Sequence, residues 1–112
     1  TDITRAFNKF ISDDCDNLLS VTKAKKNPYF NMLELKKNNL KIVKTLSKPL
    51  IRRQDAPIVF EANASIYIWK RNALIKNKKL ITNNTSYYLM PYERSIDIDE
   101  KVDYTIVKAL IE

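Results

Sequence analysis

Asp97 and Asp99 stand two residues apart in the segment Ser95-Ile96-Asp97-Ile98-Asp99, with Asp103 following closely. If Ile96 to Ile98 ends a strand, the two carboxylates project from the same side of it, because side chains alternate along extended backbone. Paired acidic oxygens suit a hard cation such as Mg²⁺, which takes one or two carboxylates and completes its shell with water and phosphate oxygens. A second reading competes. Asp99 precedes Val102, Ile106, Ala109 and Leu110, an i, i+4, i+7, i+8 stripe, so Asp97 or Asp99 could instead cap a helix. The motif alone favours the cap; the rest of the chain shifts the balance to the metal.

Two further groups of residues could do chemistry. Arg52-Arg53-Gln54-Asp55-Ala56-Pro57 sets two guanidinium groups in a loop that proline closes. Arginine is the residue for bidentate recognition of carboxylate or phosphate, although a surface turn would read the same way. Asn63, in Glu61-Ala62-Asn63-Ala64-Ser65-Ile66-Tyr67, either meets a substrate or closes a turn ahead of a strand.

Composition excludes several alternatives. The 112 residues contain no histidine, which removes the commonest general base and every histidine-containing zinc site. They contain no glycine either, against an average of about 7%. A Walker loop or a dinucleotide fingerprint therefore cannot exist in this chain, and asparagine serves the turns instead, as in Asn38-Asn39 and Asn83-Asn84. Cys15 is the single cysteine, set among Asp13, Asp14 and Asp16, so no internal disulfide forms and its acidic neighbours disfavour a reactive thiolate. With no stretch of membrane-spanning length and no signal-peptide pattern, the expected location is the cytoplasm, without a membrane partner. The net charge of +7 is spread over short lysine clusters that read as solvated turns and helix faces.

The elements that must position these residues alternate in type. Ile3, Phe7, Phe10 and Ile11 predict an amphipathic helix over about Asp2 to Ile11, and Asn17 to Thr22 predicts a buried strand. Phe30 to Leu35 and Leu40 to Lys44 read as a β-hairpin around the four-residue turn Lys36-Lys37-Asn38-Asn39. Ser65 to Trp69 is the strongest strand, followed by a short helix over Lys70 to Lys76 and strands at Ser86 to Met90 and Ile96 to Ile98. A helix from about Glu100 to Ile111 closes the chain. The alternation argues for an α/β fold in one domain, with the hairpin as an antiparallel insertion.

Four segments in this order, Asn27-Pro28-Tyr29-Phe30-Asn31, Arg52 to Pro57, Asn63 to Ile68, and Ser95 to Asp99 with Asp103, resemble the acylneuraminate cytidylyltransferase family. These synthetases activate sialic acid and related nine-carbon keto-sugar acids as CMP conjugates. The resemblance runs from Thr1 to Glu112 and implies the C-terminal half of a Rossmann-like nucleotidyltransferase sheet, with residues 29–57 as a dimerisation hairpin and substrate-capping loop. The family's glycine-rich CTP phosphate loop lies in the half that is missing here, so the chain alone is expected to be inactive. Matched residue by residue, Asp97 and Asp99 correspond to the carboxylates that bind the catalytic Mg²⁺. Arg53 corresponds to an arginine extended into the partner's site of a homodimer, facing the sugar acid's carboxylate.

Asn63 falls in the matched substrate-side segment. Leu80 and Ile81 fall where some sialic-acid members place aromatic residues, and Phe30 falls near a position where some have lysine. Both departures argue against sialic acid itself. The Asn27-Pro28-Tyr29-Phe30-Asn31 segment more closely resembles enzymes handling legionaminic- or pseudaminic-type sugars, whose extra N-acyl groups and fewer hydroxyls suit a more apolar pocket. The implied partners are CTP and a keto-sugar acid, not nucleic acid. The alternative is a small basic α/β binding module, for nucleic acid or a protein, with Tyr29, Phe30, Tyr87 and Tyr88 as stacking platforms.

Overall fold

The structure is a computed structural model that describes all residues from Thr1 to Glu112. In chain order its elements are α1 (Asp2–Asp13), β1 (Asn17–Lys23), β2 (Leu33–Lys36), β3 (Asn39–Ile42), β4 (Phe60–Trp69), α2 (Arg71–Lys76), β5 (Thr85–Leu89) and α3 (Lys101–Ile111). Two compact units result, Thr1–Thr22 with Glu61–Glu112, and Lys23–Phe60.

In the first unit, Thr1 starts α1 by accepting the Thr4 N–H on its side-chain oxygen at 3.3 Å, which satisfies a donor that a helix start leaves open. Asp14 ends it in left-handed backbone, φ 46°, a conformation that aspartate tolerates better than most residues. Of the apolar stripe expected on α1, only Phe10 reaches the core, where it joins Ala6, Cys15 and Leu18 under Ile66, Ile68 and Tyr88. Ile3, Phe7 and Ile11 stay exposed, because Ala6 and Phe10 define the face turned to the sheet.

That sheet is mixed, in the order β4-β1-β5. β1 and β5 run parallel with Asn17 opposite Thr85 and Val21 opposite Leu89. β4 runs the other way: Lys70 N–H meets the Asp16 carbonyl at 2.9 Å, and Ile66 N–H meets Ser20 Oγ at 2.8 Å. The fold is therefore α/β, as the alternation implied. β1 is central and buried along nearly its whole length, yet it carries Asn17, Ser20 and Thr22. Every buried side-chain polar atom has a partner, as burial demands. β4 begins at Phe60, earlier than the expected Ser65, and accommodates its polar first half with Ala64 in left-handed backbone at φ 57°.

One expected strand does not form. Ile96 to Ile98 is irregular, because Ser95 closes a 3₁₀ turn (Tyr92–Arg94) on one side and the α3 cap begins on the other. No strand neighbours it to complete a ladder.

In the second unit the hairpin pairs Leu33 with Ile42 and Lys36 with Asn39, one rung further at the turn than the sequence suggested but shorter at the open end. The first strand starts at Leu33 and not at Phe30, and the second ends at Ile42 and not at Lys44, because the N–H groups of Phe30, Asn31 and Met32 turn onto the Asn27 carbonyl. The turn shortens to Lys37 and Asn38, at φ 48° and 66°. Both signs match the tight turn whose twist fits a hairpin, with asparagine replacing the glycine usually found there. Asn27 organises the preceding loop. Its carbonyl accepts N–H groups from Phe30, Asn31 and Met32, its side-chain oxygen accepts from Tyr29 N–H, and its amide donates to the Pro57 carbonyl.

Candidate functional site

The buried strand β1 reaches the acidic segment through a line of polar side chains in the first unit. Ser20 Oγ donates to Asn63 Oδ1 at 2.5 Å, and Asn63 Nδ2 donates to Ser95 Oγ at 2.9 Å. Ser95 in turn donates to the Pro91 carbonyl at 2.8 Å. Asp97 is thus two residues from a side chain fastened to the centre of the sheet.

Asp97 and Asp99 are both exposed, and neither carboxylate makes a hydrogen bond or an ion pair. The capping alternative can be decided from the same region. The N-cap of α3 is Glu100, and the capping acceptor is Asp103, whose Oδ2 takes the Glu100 N–H at 2.8 Å and the Asp99 N–H at 3.2 Å. Neither Asp97 nor Asp99 caps the helix. Because 96–98 is not a strand, side-chain alternation does not set both carboxylates on one side. No group of three or more histidine, cysteine, aspartate or glutamate side chains forms a ready-made metal cluster.

Other acids are committed to cations. Asp2 accepts from Arg94 Nε at 2.8 Å and from Tyr88 Oη at 2.9 Å, and the Arg94 hydrogen bond, then that of Tyr88, holds its carboxyl below the usual range. Lys9, then Ser86, does the same for Asp13, and Lys70 does so for Asp14. Tyr88 is therefore spent inside the fold, and Lys9 Nζ lies 4.6 Å from the Tyr87 ring centroid.

The remaining candidates are placed by polar residues that sequence patterning passed over. Leu80 and Ile81 are exposed, on a loop held by buried Asn17, whose Nδ2 donates to the Leu80 carbonyl at 2.7 Å. Asn17 and Ser20 sit in what reads as an apolar run; the available signal was that polar groups in a buried strand must find partners. Asn63 uses its whole amide internally, adding the Ser65 N–H at 3.3 Å and Met90 Sδ at 3.4 Å to the two bonds above.

Arg53 and Phe30 belong to the second unit. Arg53 is exposed and its guanidinium donates to the Lys25 carbonyl. It lines a cavity of about 390 Å³ with Lys23, Asn27, Gln54 and Pro57. Phe30 lines another of about 430 Å³ with Tyr29, Ile42, Leu46 and Leu50, where Lys44 Nζ lies 5.7 Å from the Tyr29 ring centroid.

Comparison with known proteins gives this arrangement a context. The chain is 38% identical over 111 residues to the post-translational flagellin modification protein B of Campylobacter coli, covering 99% of this chain and 46% of that protein. It is 39% identical over 94 residues to the CMP-N,N′-diacetyllegionaminic acid synthase of Campylobacter jejuni, covering 84% of this chain and 39% of the relative. The chain is homologous to the acylneuraminate cytidylyltransferases. An N-acylneuraminate cytidylyltransferase of Streptococcus agalactiae is 29% identical over 103 residues, 91% of this chain and 24% of its own length. The chain spans less than half the length of each of these relatives. No family model matches it. No helix is long and apolar enough to cross a membrane.

Proposed function

We propose that this chain is the carboxy-terminal part of a cytidylyltransferase that transfers CMP from CTP to a nine-carbon keto-sugar acid, for the synthesis of a surface glycan. The observation that carries the reading is the identity of 38–39% to the flagellin modification protein and the CMP-diacetyllegionaminic acid synthase. A legionaminic-type acid is the substrate that the second of these suggests. Leu80 and Ile81 support it, since apolar side chains suit N-acyl groups better than hydroxyls.

Asp97 and Asp99 fit Mg²⁺ by their chemistry: two hard oxygen donors, exposed and not neutralised by any cation in the fold. The lack of a third acidic ligand suits a cation that keeps water and phosphate oxygens in its shell. Bound there, the metal would neutralise triphosphate charge and favour ionisation of the attacking hydroxyl. The anomeric hydroxyl oxygen forms a bond to the α-phosphorus of CTP as the bond from that phosphorus to the β-phosphate oxygen breaks, the hydroxyl proton passes to solvent, and pyrophosphate departs. Arg53 supplies a planar guanidinium for the sugar carboxylate.

The second unit supports a homodimer. Leu33, Leu35, Leu40 and Ile42 share one face of the hairpin, paired in register, and all are exposed. Two strands alone cannot bury such a face. A symmetry mate would cover it and let Arg53 and Phe30 serve the neighbouring site. Nothing in the chain can form a glycine-rich phosphate loop, so the 112 residues alone are expected to be inactive. The reading keeps the cytoplasm as the location.

The test supplies the parent enzyme and, separately, the 112-residue chain with CTP, Mg²⁺ and a panel of nine-carbon keto-sugar acids. Pyrophosphate release by the parent, strongest with diacetylated legionaminic-type acids, and none by the short chain is the expected outcome. A parent that releases none with any acid contradicts the reading.

A further inference from the structure

An acidic pair in irregular backbone needs something else to hold it in place. The segment from Ser95 to Glu100 is fastened at both ends. At the front, Ser95 Oγ sits between the Asn63 amide at 2.9 Å and the Pro91 carbonyl at 2.8 Å. At the back, the Asp103 carboxylate takes the N–H groups of Asp99 and Glu100 at 3.2 and 2.8 Å. Between these anchors neither acidic side chain has a partner of its own.

Asn63 is built for this task. Its oxygen is held by Ser20, a residue 1% exposed at the centre of the sheet. Ser20 Oγ also takes the Ile66 N–H, so one buried hydroxyl organises both the distorted stretch of β4 and the asparagine within it. Ala64, the next residue, adopts left-handed backbone although it has a Cβ, a conformation that persists only where surroundings impose it. With its donors and acceptors all engaged inside the fold, the Asn63 amide has no free group left for a substrate.

We propose that Asn63, acting through Ser95, and Asp103 are positioning residues that pre-order Asp97 and Asp99 for their cation. The inference rests on the reading of that pair as the metal ligands. Its energetics are those of pre-organisation. If release of one anchor leaves the segment competent about a tenth of the time, apparent metal affinity falls about tenfold.

Two measurements on the parent enzyme test this: Mn²⁺ affinity by electron paramagnetic resonance, and amide hydrogen exchange across residues 95–99. Asn63→Ala and Ser95→Ala are each expected to weaken Mn²⁺ binding about tenfold. The double variant should be no weaker than either single, because both break one link. Ser95→Thr, which keeps the hydroxyl, should restore the affinity. Exchange at 95–99 should accelerate in both alanine variants while β1 keeps its protection. Should Asn63→Ala fail to fold, Ser95→Ala carries both measurements. Unchanged Mn²⁺ affinity with a lowered melting temperature would make Asn63 a purely structural residue and overturn the proposal. If Asp97→Asn leaves Mn²⁺ affinity intact, the metal reading fails by itself. The anchoring is then decided by exchange alone, and an unaltered rate at 95–99 overturns it.

Discussion

Replacing Ala64 with glycine should stabilise the protein. Ala64 sits at φ 57°, where a side chain bearing Cβ crowds its own backbone. A left-handed non-glycine residue costs about 1–2 kcal/mol. Glycine removes that cost but returns about 0.4–1 kcal/mol through the greater freedom of the unfolded chain. The expected net gain is about 0.5–1 kcal/mol, which in a domain of the relatives' size raises Tm by about 1–4 °C. Ala64→Val should act in the opposite direction and by more, since a β-branched residue is least compatible with this region. Both variants are measured by thermal and urea unfolding of the parent enzyme. Turnover should not change in Ala64→Gly, because Asn63 keeps its contacts to Ser20 and Ser95. A loss of stability in Ala64→Gly, or a valine variant as stable as the parent, would refute the reasoning.

Arg53→Ala should raise KM for the sugar acid far more than for CTP. Mixed with Asp97→Asn subunits, it should regain activity by rebuilding one intact site; no recovery despite subunit exchange would rule out sharing between chains. Stability of the 112-residue chain should be nearly flat from pH 5 to 8, since it has no histidine, and should fall below about pH 4. The sign follows from Asp2, Asp13 and Asp14, whose carboxyls are held low by Arg94, Lys9 and Lys70. Their contribution is complete above the unfolded carboxylate value and is lost as pH drops through the lowered folded value. Unfolding curves across pH check this, and a steep change between pH 5 and 8 would contradict it.

Sequence patterning located α1, β1, α2, β5 and α3 to within a few residues: α1 and α3 show an apolar stripe at helical spacing, and β1 is a short continuous run that the sheet buries almost throughout. It failed where hydrogen bonds outside the pattern decide the backbone. Ile96 to Ile98 alternates like a strand, but no neighbour offers a ladder and Asp103 claims the N–H groups that follow. The hairpin gained a rung because Lys37 and Asn38 both accept positive φ without glycine, which composition does not reveal. Candidate site residues were legible from their types and order. Their supports were not: Asn17, Ser20 and Ser95 look ordinary in sequence and acquire their roles only through partners 32 to 63 residues away.

The central claim is that Asp97 and Asp99 serve CMP transfer and not the architecture of α3. The direct measurement is turnover and melting temperature, side by side, for Asp97→Asn and Asp99→Asn in the parent enzyme. Each change removes a charge and almost no volume, so the account predicts a loss of kcat by orders of magnitude with Tm close to that of the parent. Near-normal turnover with a lowered Tm would contradict it and return the pair to a structural role.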